Sequence, residues 1–79
     1  MSEAVTNTII RQIEAMGYTV NRMTFLLKGG KRYRFTAWLT EDNPGGVYQG
    51  GEQWIGEAES RYLAACQLAK LVDLELEDG

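Results

Sequence analysis

From Lys31 to Thr40 the side chains alternate without interruption, and this run limits the fold more than any other feature of the chain. Tyr33, Phe35, Ala37 and Leu39 fall on one side, and Arg32, Arg34, Thr36, Trp38 and Thr40 fall on the other. A period of two belongs to a strand, because successive residues of an extended backbone project to opposite faces. One face here is apolar and the other polar with a tryptophan. The segment therefore reads as a ribbon with one wet side, as strands of antiparallel sheets commonly are.

The neighbouring segments supply partners for it. Residues 18–27 read as a preceding strand in which Met23, Phe25 and Leu27 share one phase while Tyr18 and Val20 take the opposite one. An irregularity is therefore expected near Asn21–Arg22. The hairpin turn sets the register. A two-residue loop at Gly29–Gly30 sets Leu26 opposite Tyr33 and turns Met23 and Phe25 to the polar face. A three-residue loop, Lys28–Gly29–Gly30, sets Phe25 opposite Tyr33 and Met23 opposite Phe35. The second option gathers the large apolar side chains on one face and is the expected one, as a type I turn with a left-handed Gly30. Residues 41–46 form a turn around Asn43–Pro44–Gly45, strong punctuation in any chain. A third strand is expected over residues 47–56, carrying Tyr48, Trp54 and Ile55, with a bulge or bend at Gly50–Gly51.

Helical spacing brackets this sheet. Val5, Ile9, Ile13 and Met16, widened by Ile10, form a stripe over residues 2–16, with Glu3, Asn7, Arg11 and Glu14 opposite. Ser2 can cap that helix, Glu3 suits its positive end and Gly17 its left-handed stop. Residues 60–74 read as a second helix with Ser60 as N-cap. Ala64, Ala65, Leu68, Ala69, Leu71 and Val72 make its apolar face, and Gln67, Lys70 and Asp73 its wet one. Its alanines allow a close approach to the sheet. Asp73, Glu75, Glu77 and Asp78 lead into a solvated acidic tail over residues 75–79. The expectation is one domain over residues 1–79. It is an α+β fold of order α-β-β-β-α, a two-layer sandwich with both helices on one face of a three-stranded antiparallel sheet.

Composition removes most chemistries. A 79-residue chain buries only roughly 60% of the surface it exposes when unfolded, so its core is thin and oligomerisation would help it. No histidine is present, which excludes Ser-His and Cys-His nucleophiles and histidine metal sites. The single cysteine, Cys66, can form neither an intramolecular disulfide nor a zinc site, and its alanine neighbours predict a buried, inert thiol. The glycine pairs read as turns and bends, not phosphate cradles. No enzyme activity, cofactor or metal is therefore expected. With neither a secretory leader pattern nor a bilayer-length apolar run, the expected address is the cytoplasm, with no membrane contact. The net charge of −3 lacks the basic surplus usual in nucleic-acid binders.

One stretch carries a family likeness. Gly56-Glu57-Ala58-Glu59-Ser60-Arg61-Tyr62-Leu63-Ala64-Ala65, followed by Leu68-Ala69, resembles the start of the second helix in the double-stranded RNA-binding domain family. There a glycine-rich approach leads into Ser-Lys-Lys-x-Ala-Lys and an alanine-rich helix. Ser60, Arg61 and Ala64 match as cap, first basic position and packing residue. Element order and domain size fit as well. The resemblance implies a dsRBD-like fold and RNA as a partner, with the helix start on phosphates across the major groove. Tyr62 and Ala65 stand where the family has further basic residues. Lys28-Gly29-Gly30-Lys31 stands where it has a Gly-Pro-x-His type loop.

The expected working surface is the sheet face away from the helices. Arg32, Arg34, Thr36 and Trp38 project there, joined by Tyr48 and Trp54 if the third strand has the matching phase. Exposed Trp with Arg suits a protein interface, a protein partner or a homodimer, where Trp, Tyr and Arg are enriched. It also suits single-stranded nucleic acid through stacking and charge. A purely structural alternative pairs Trp38 with Trp54 across the strands. The leading reading is a non-catalytic binding or assembly module. The alternative is RNA binding through Arg32, Arg34, Lys28, Lys31 and Arg61.

Overall fold

A computed structural model describes residues 3–75, in the order α1 (Glu3–Ala15), β1 (Tyr18–Leu27), β2 (Gly30–Leu39), β3 (Trp54–Ala58) and α2 (Arg61–Leu71). The three strands form one antiparallel sheet in the order β1-β2-β3. Both helices pack on one face of it, so the α+β two-layer architecture is as expected. Ser2 and residues 76–79 lie outside the described residues, and with them the proposed cap of α1 and most of the acidic tail.

The core is built from Ile9, Ile10 and Ile13 of α1, Val20, Phe35, Ala37 and Ala58 of the sheet, and Ala64, Ala65, Leu68, Ala69 and Val72 at α2. Thr6 completes the buried stripe of α1, while Val5 and Met16 at the two ends of the expected stripe are exposed. The helix is thus anchored by its middle turns. Gly17 takes φ +106° and turns the chain into β1. Ser60 caps α2, its Oγ accepting from the Leu63 amide at 3.1 Å. The helix ends at Leu71 with Val72 as its C-cap, followed by Asp73 at φ +60°, short of residue 74. Leu71 faces solvent, and Cys66 is half-buried where a buried thiol was expected, because both lie off the line from Ala64 to Val72 that meets the sheet.

Gly56 fixes how closely α2 lies on the sheet. A Cβ there would sit 2.3 Å from the Ala64 carbonyl oxygen and 2.8 Å from the Leu68 nitrogen. The absence of a side chain on β3 and the small side chains on α2 let the backbones touch. That contact gives a thin core the density it needs.

The hairpin register corrects the sequence reading. Leu27 pairs with Gly30, so the loop is Lys28–Gly29 alone, and the ladder runs unbroken to Tyr18 opposite Leu39. There is no irregularity at Asn21–Arg22. Gly30 does take a positive φ, +127°. Directly opposed residues share a face. Tyr18, Val20, Arg22 and Thr24 therefore join Tyr33, Phe35, Ala37 and Leu39, whereas Met23 and Phe25 join Arg34 and Arg32 on the other face. The reason lies in the reach of the helices. They cover only the start of β1, where Val20 is buried; from Asn21 to Thr24 the strand is exposed. The residues beneath the helices set the phase, and the bulky ones beyond them follow.

The third strand is shorter than expected. Residues 47–53 belong to no strand, and β3 begins only at Trp54. Gly45, Gly46, Gly50 and Gly51 all hold φ between +80° and +154°, conformations a regular strand does not contain. The segment instead folds back as a strap over the helix-free face.

Candidate functional site

On the open face the ladders assemble Thr19, Asn21, Met23 and Phe25 from β1, Arg32, Arg34, Thr36 and Trp38 from β2, and Ile55 and Glu57 from β3. Arg32, Arg34, Thr36 and Trp38 thus share this face as their spacing requires. Trp54 does not join them. It pairs with Ala37 and so turns to the helix side, where its ring meets Tyr18 edge-on at 5.4 Å. A cross-strand Trp38–Trp54 pair is excluded by the same register.

Trp38 is also not an exposed stacking platform; it is only 3% exposed. The strap covers it, with the Tyr48 ring 5.5 Å away. Tyr48 reaches the face from this loop and not from a strand. Asn43, itself buried, holds the strap closed: its Nδ2 donates to the Gly50 carbonyl at 2.9 Å and its Oδ1 accepts from the Gln49 amide at 2.7 Å. The Tyr48 hydroxyl donates to the Gly51 carbonyl. Under this cover the Trp38 Nε1–H is buried without an acceptor among the described residues. An unsatisfied buried donor costs about 1–3 kcal/mol, which the packing of the ring must offset.

Between the strap and the sheet lies an open groove of about 430 Å³, with Met23, Arg34, Thr36, Val47, Gln53 and Ile55 among its walls. Met23 is 44% exposed, Ile55 45% and Val47 65%. Beside the groove, Glu57 accepts from Arg34 Nε at 2.7 Å and from Arg32 Nε at 2.9 Å. The Arg34 guanidinium lies 4.7 Å over the Phe25 ring. Hydrogen bonds from Arg32 and Arg34 hold the Glu57 carboxyl below the usual carboxylate range.

The cations named for nucleic acid do not come together. Arg61 sits at the start of α2, paired with Glu3 at 2.8 Å and stacked 4.7 Å over Tyr33 on the helix side. Lys28 lies in the hairpin loop, and Lys31 shares the helix-side phase of Tyr33. Only Arg32 and Arg34 lie on the open face, and both are engaged by Glu57.

Met23, Phe25, Ile55, Glu57 and Asn43 are members of this site that the sequence reading left out or placed elsewhere. Glu57 was legible as an acid near Arg32 and Arg34 only once the β2–β3 register is known. Asn43 before Pro44 signalled a turn but not a clasp.

Among the described residues no group of three His, Cys, Asp or Glu side chains is placed to hold a metal ion. Among the described residues no helix is long and apolar enough to cross a membrane. No family model, curated protein or solved structure matches the chain.

Proposed function

We propose that this domain is a non-catalytic protein-binding or assembly module that engages a protein partner through its open sheet face. The observation that carries the reading is the groove rimmed by Met23, Val47 and Ile55, exposed apolar side chains beside an arginine whose charge is already answered. Exposed apolar residues gathered beside a polar rim suit a protein interface. Nucleic acid would instead require unpaired cations on one surface, and Arg32, Arg34 and Arg61 are spent on Glu57 and Glu3. A dsRBD-like fold with RNA as partner remains the competing proposal, resting on Ser60, Arg61 and Ala64 together with element order and domain size.

Two measurements on the purified domain separate them. Fluorescence anisotropy with duplex and single-stranded RNA at low salt should show no salt-sensitive binding. Affinity that falls steeply with salt and is lost in Arg61→Ala or Lys31→Ala would establish RNA binding instead. Affinity capture with wild type and Ile55→Asp should recover a partner that the variant loses.

A further inference from the structure

The outer edge of β1 presents backbone groups that the groove does not use, although Met23 of the same strand also lines the groove. β1 is an edge strand of ten residues, paired with β2 along its whole length. The Thr40 amide donates to the Gly17 carbonyl at 2.9 Å, which makes Tyr18–Leu39 a non-hydrogen-bonded pair. By alternation, the backbone groups of Tyr18, Val20, Arg22, Thr24 and Leu26 point away from the sheet. No hydrogen bond among the described residues reaches that edge between Val20 and Leu26. The opposite edge differs: β3 has five residues, and its Glu57 amide is taken by Gln67 Oε1 of α2 at 3.2 Å.

Proteins normally blunt a long edge with proline, a bulge, lysine or a covering element. Here there is no proline, the ladder has no bulge, and Arg22 is the only charged residue between Tyr18 and Leu27. Leu26 is 80% exposed.

We infer that β1 pairs antiparallel with β1 of a second copy of this chain, extending the sheet to six strands about a twofold axis at Met23. The half-covered strand argues for a copy of itself. Val20 lies under the helices while Arg22, Thr24 and Leu26, in the same phase, lie beyond them. Antiparallel pairing sets the bare end of one copy against the covered end of the other, with Leu26 beside Val20. Outward-pointing residues must oppose one another, which places the axis on a residue and not between two; an axis at Asn21 sets Arg22 against Val20, and the others near the middle of the strand fall at Arg22, Met23 or Thr24. An axis at Arg22 places two guanidiniums face to face, which is unfavourable. An axis at Thr24 sets Arg22 against Leu26 and runs past the hairpin loop. The axis at Met23 pairs Arg22 with Thr24 and Val20 with Leu26. Like the other axes, it keeps all four helices on one side and joins the two open faces on the other.

Met23 then faces its own copy at a non-hydrogen-bonded site, with Cα atoms about 4.5 Å apart, inside the range of about 4.4–6.8 Å that a disulfide spans. The experiment places single cysteines at this edge in a Cys66→Ala background and oxidises gently at several protein concentrations. Met23→Cys should yield covalent dimer readily, and Arg22→Cys and Leu26→Cys much less. Sedimentation velocity should show a concentration-dependent dimer for wild type that Thr24→Pro abolishes; that substitution removes an outward amide and leaves the β1–β2 ladder intact. A wild type that stays monomeric at high concentration, or equal cross-linking at all three positions, overturns the inference. A dimer lost in Ile55→Asp without selective cross-linking at position 23 also overturns it, and assigns self-association to the open face.

Discussion

Glu57 lies directly across the β2–β3 ladder from Arg34, and its two carboxylate oxygens take Arg34 and, diagonally, Arg32. One acid thereby answers both cations of the open face. The pair of arginines that reads from the sequence as a positive patch is, in the folded chain, one side of a three-residue ion-pair network.

A pH dependence follows. The carboxyl of Glu57 titrates below its ordinary value near 4.5, chiefly through Arg32 and then Arg34. A carboxyl with a depressed folded value stabilises the fold above its unfolded value, and that stabilisation is lost as pH falls through the folded one. Urea denaturation of wild type should weaken with acid below about pH 4.5. Glu57→Gln should flatten that part of the profile and leave the slope near neutrality unchanged. The same variant unpairs Arg32 and Arg34 and should raise non-specific RNA affinity at low salt, seen by anisotropy.

The close approach at Gly56 makes a sharp stability prediction. Gly56→Ala drives a methyl into the backbone of α2 at Ala64 and Leu68, so the helix must lift. Urea unfolding should show a loss of about 1–3 kcal/mol or more. Gly29→Ala, with nothing within 4 Å, should stay within about 0.5 kcal/mol of wild type.

Asn43 should behave as the clasp of the strap. Asn43→Ala removes the bonds to Gly50 and Gln49 and should cost about 1–3 kcal/mol. The strap would then loosen over Trp38. In a Trp54→Phe background, acrylamide quenching of the remaining tryptophan should rise markedly in Asn43→Ala. Unchanged quenching would mean that the Tyr48 contact alone keeps the strap in place.

The periodicity of β2 could be read directly, because every residue from Lys31 to Leu39 obeys it. The middle of α1, the Ser60 cap and the Ala64–Val72 face were equally legible, since each depends on local spacing. What escaped the sequence depends on reach. Met23 and Phe25 are bulky enough to look like core, yet the helices stop short of them. Trp54 looked like a companion to Trp38, but its phase is set by pairing with Ala37, and Gly45 to Gly51 hide where β3 begins. Trp38 looked bare because nothing in the alternation of β2 announces a strap anchored by Asn43. Local pattern assigns the two faces of a strand, and only the tertiary arrangement decides which residues on the outer face are covered.

The proposed protein contact is tested most directly by quantitative affinity capture with three baits: wild type, Ile55→Asp in the groove and Leu63→Asp on the helix layer. Recovery of the partner should fall at least about tenfold in Ile55→Asp and stay unchanged in Leu63→Asp. Equal recovery by all three baits would contradict it, as would loss only in Leu63→Asp.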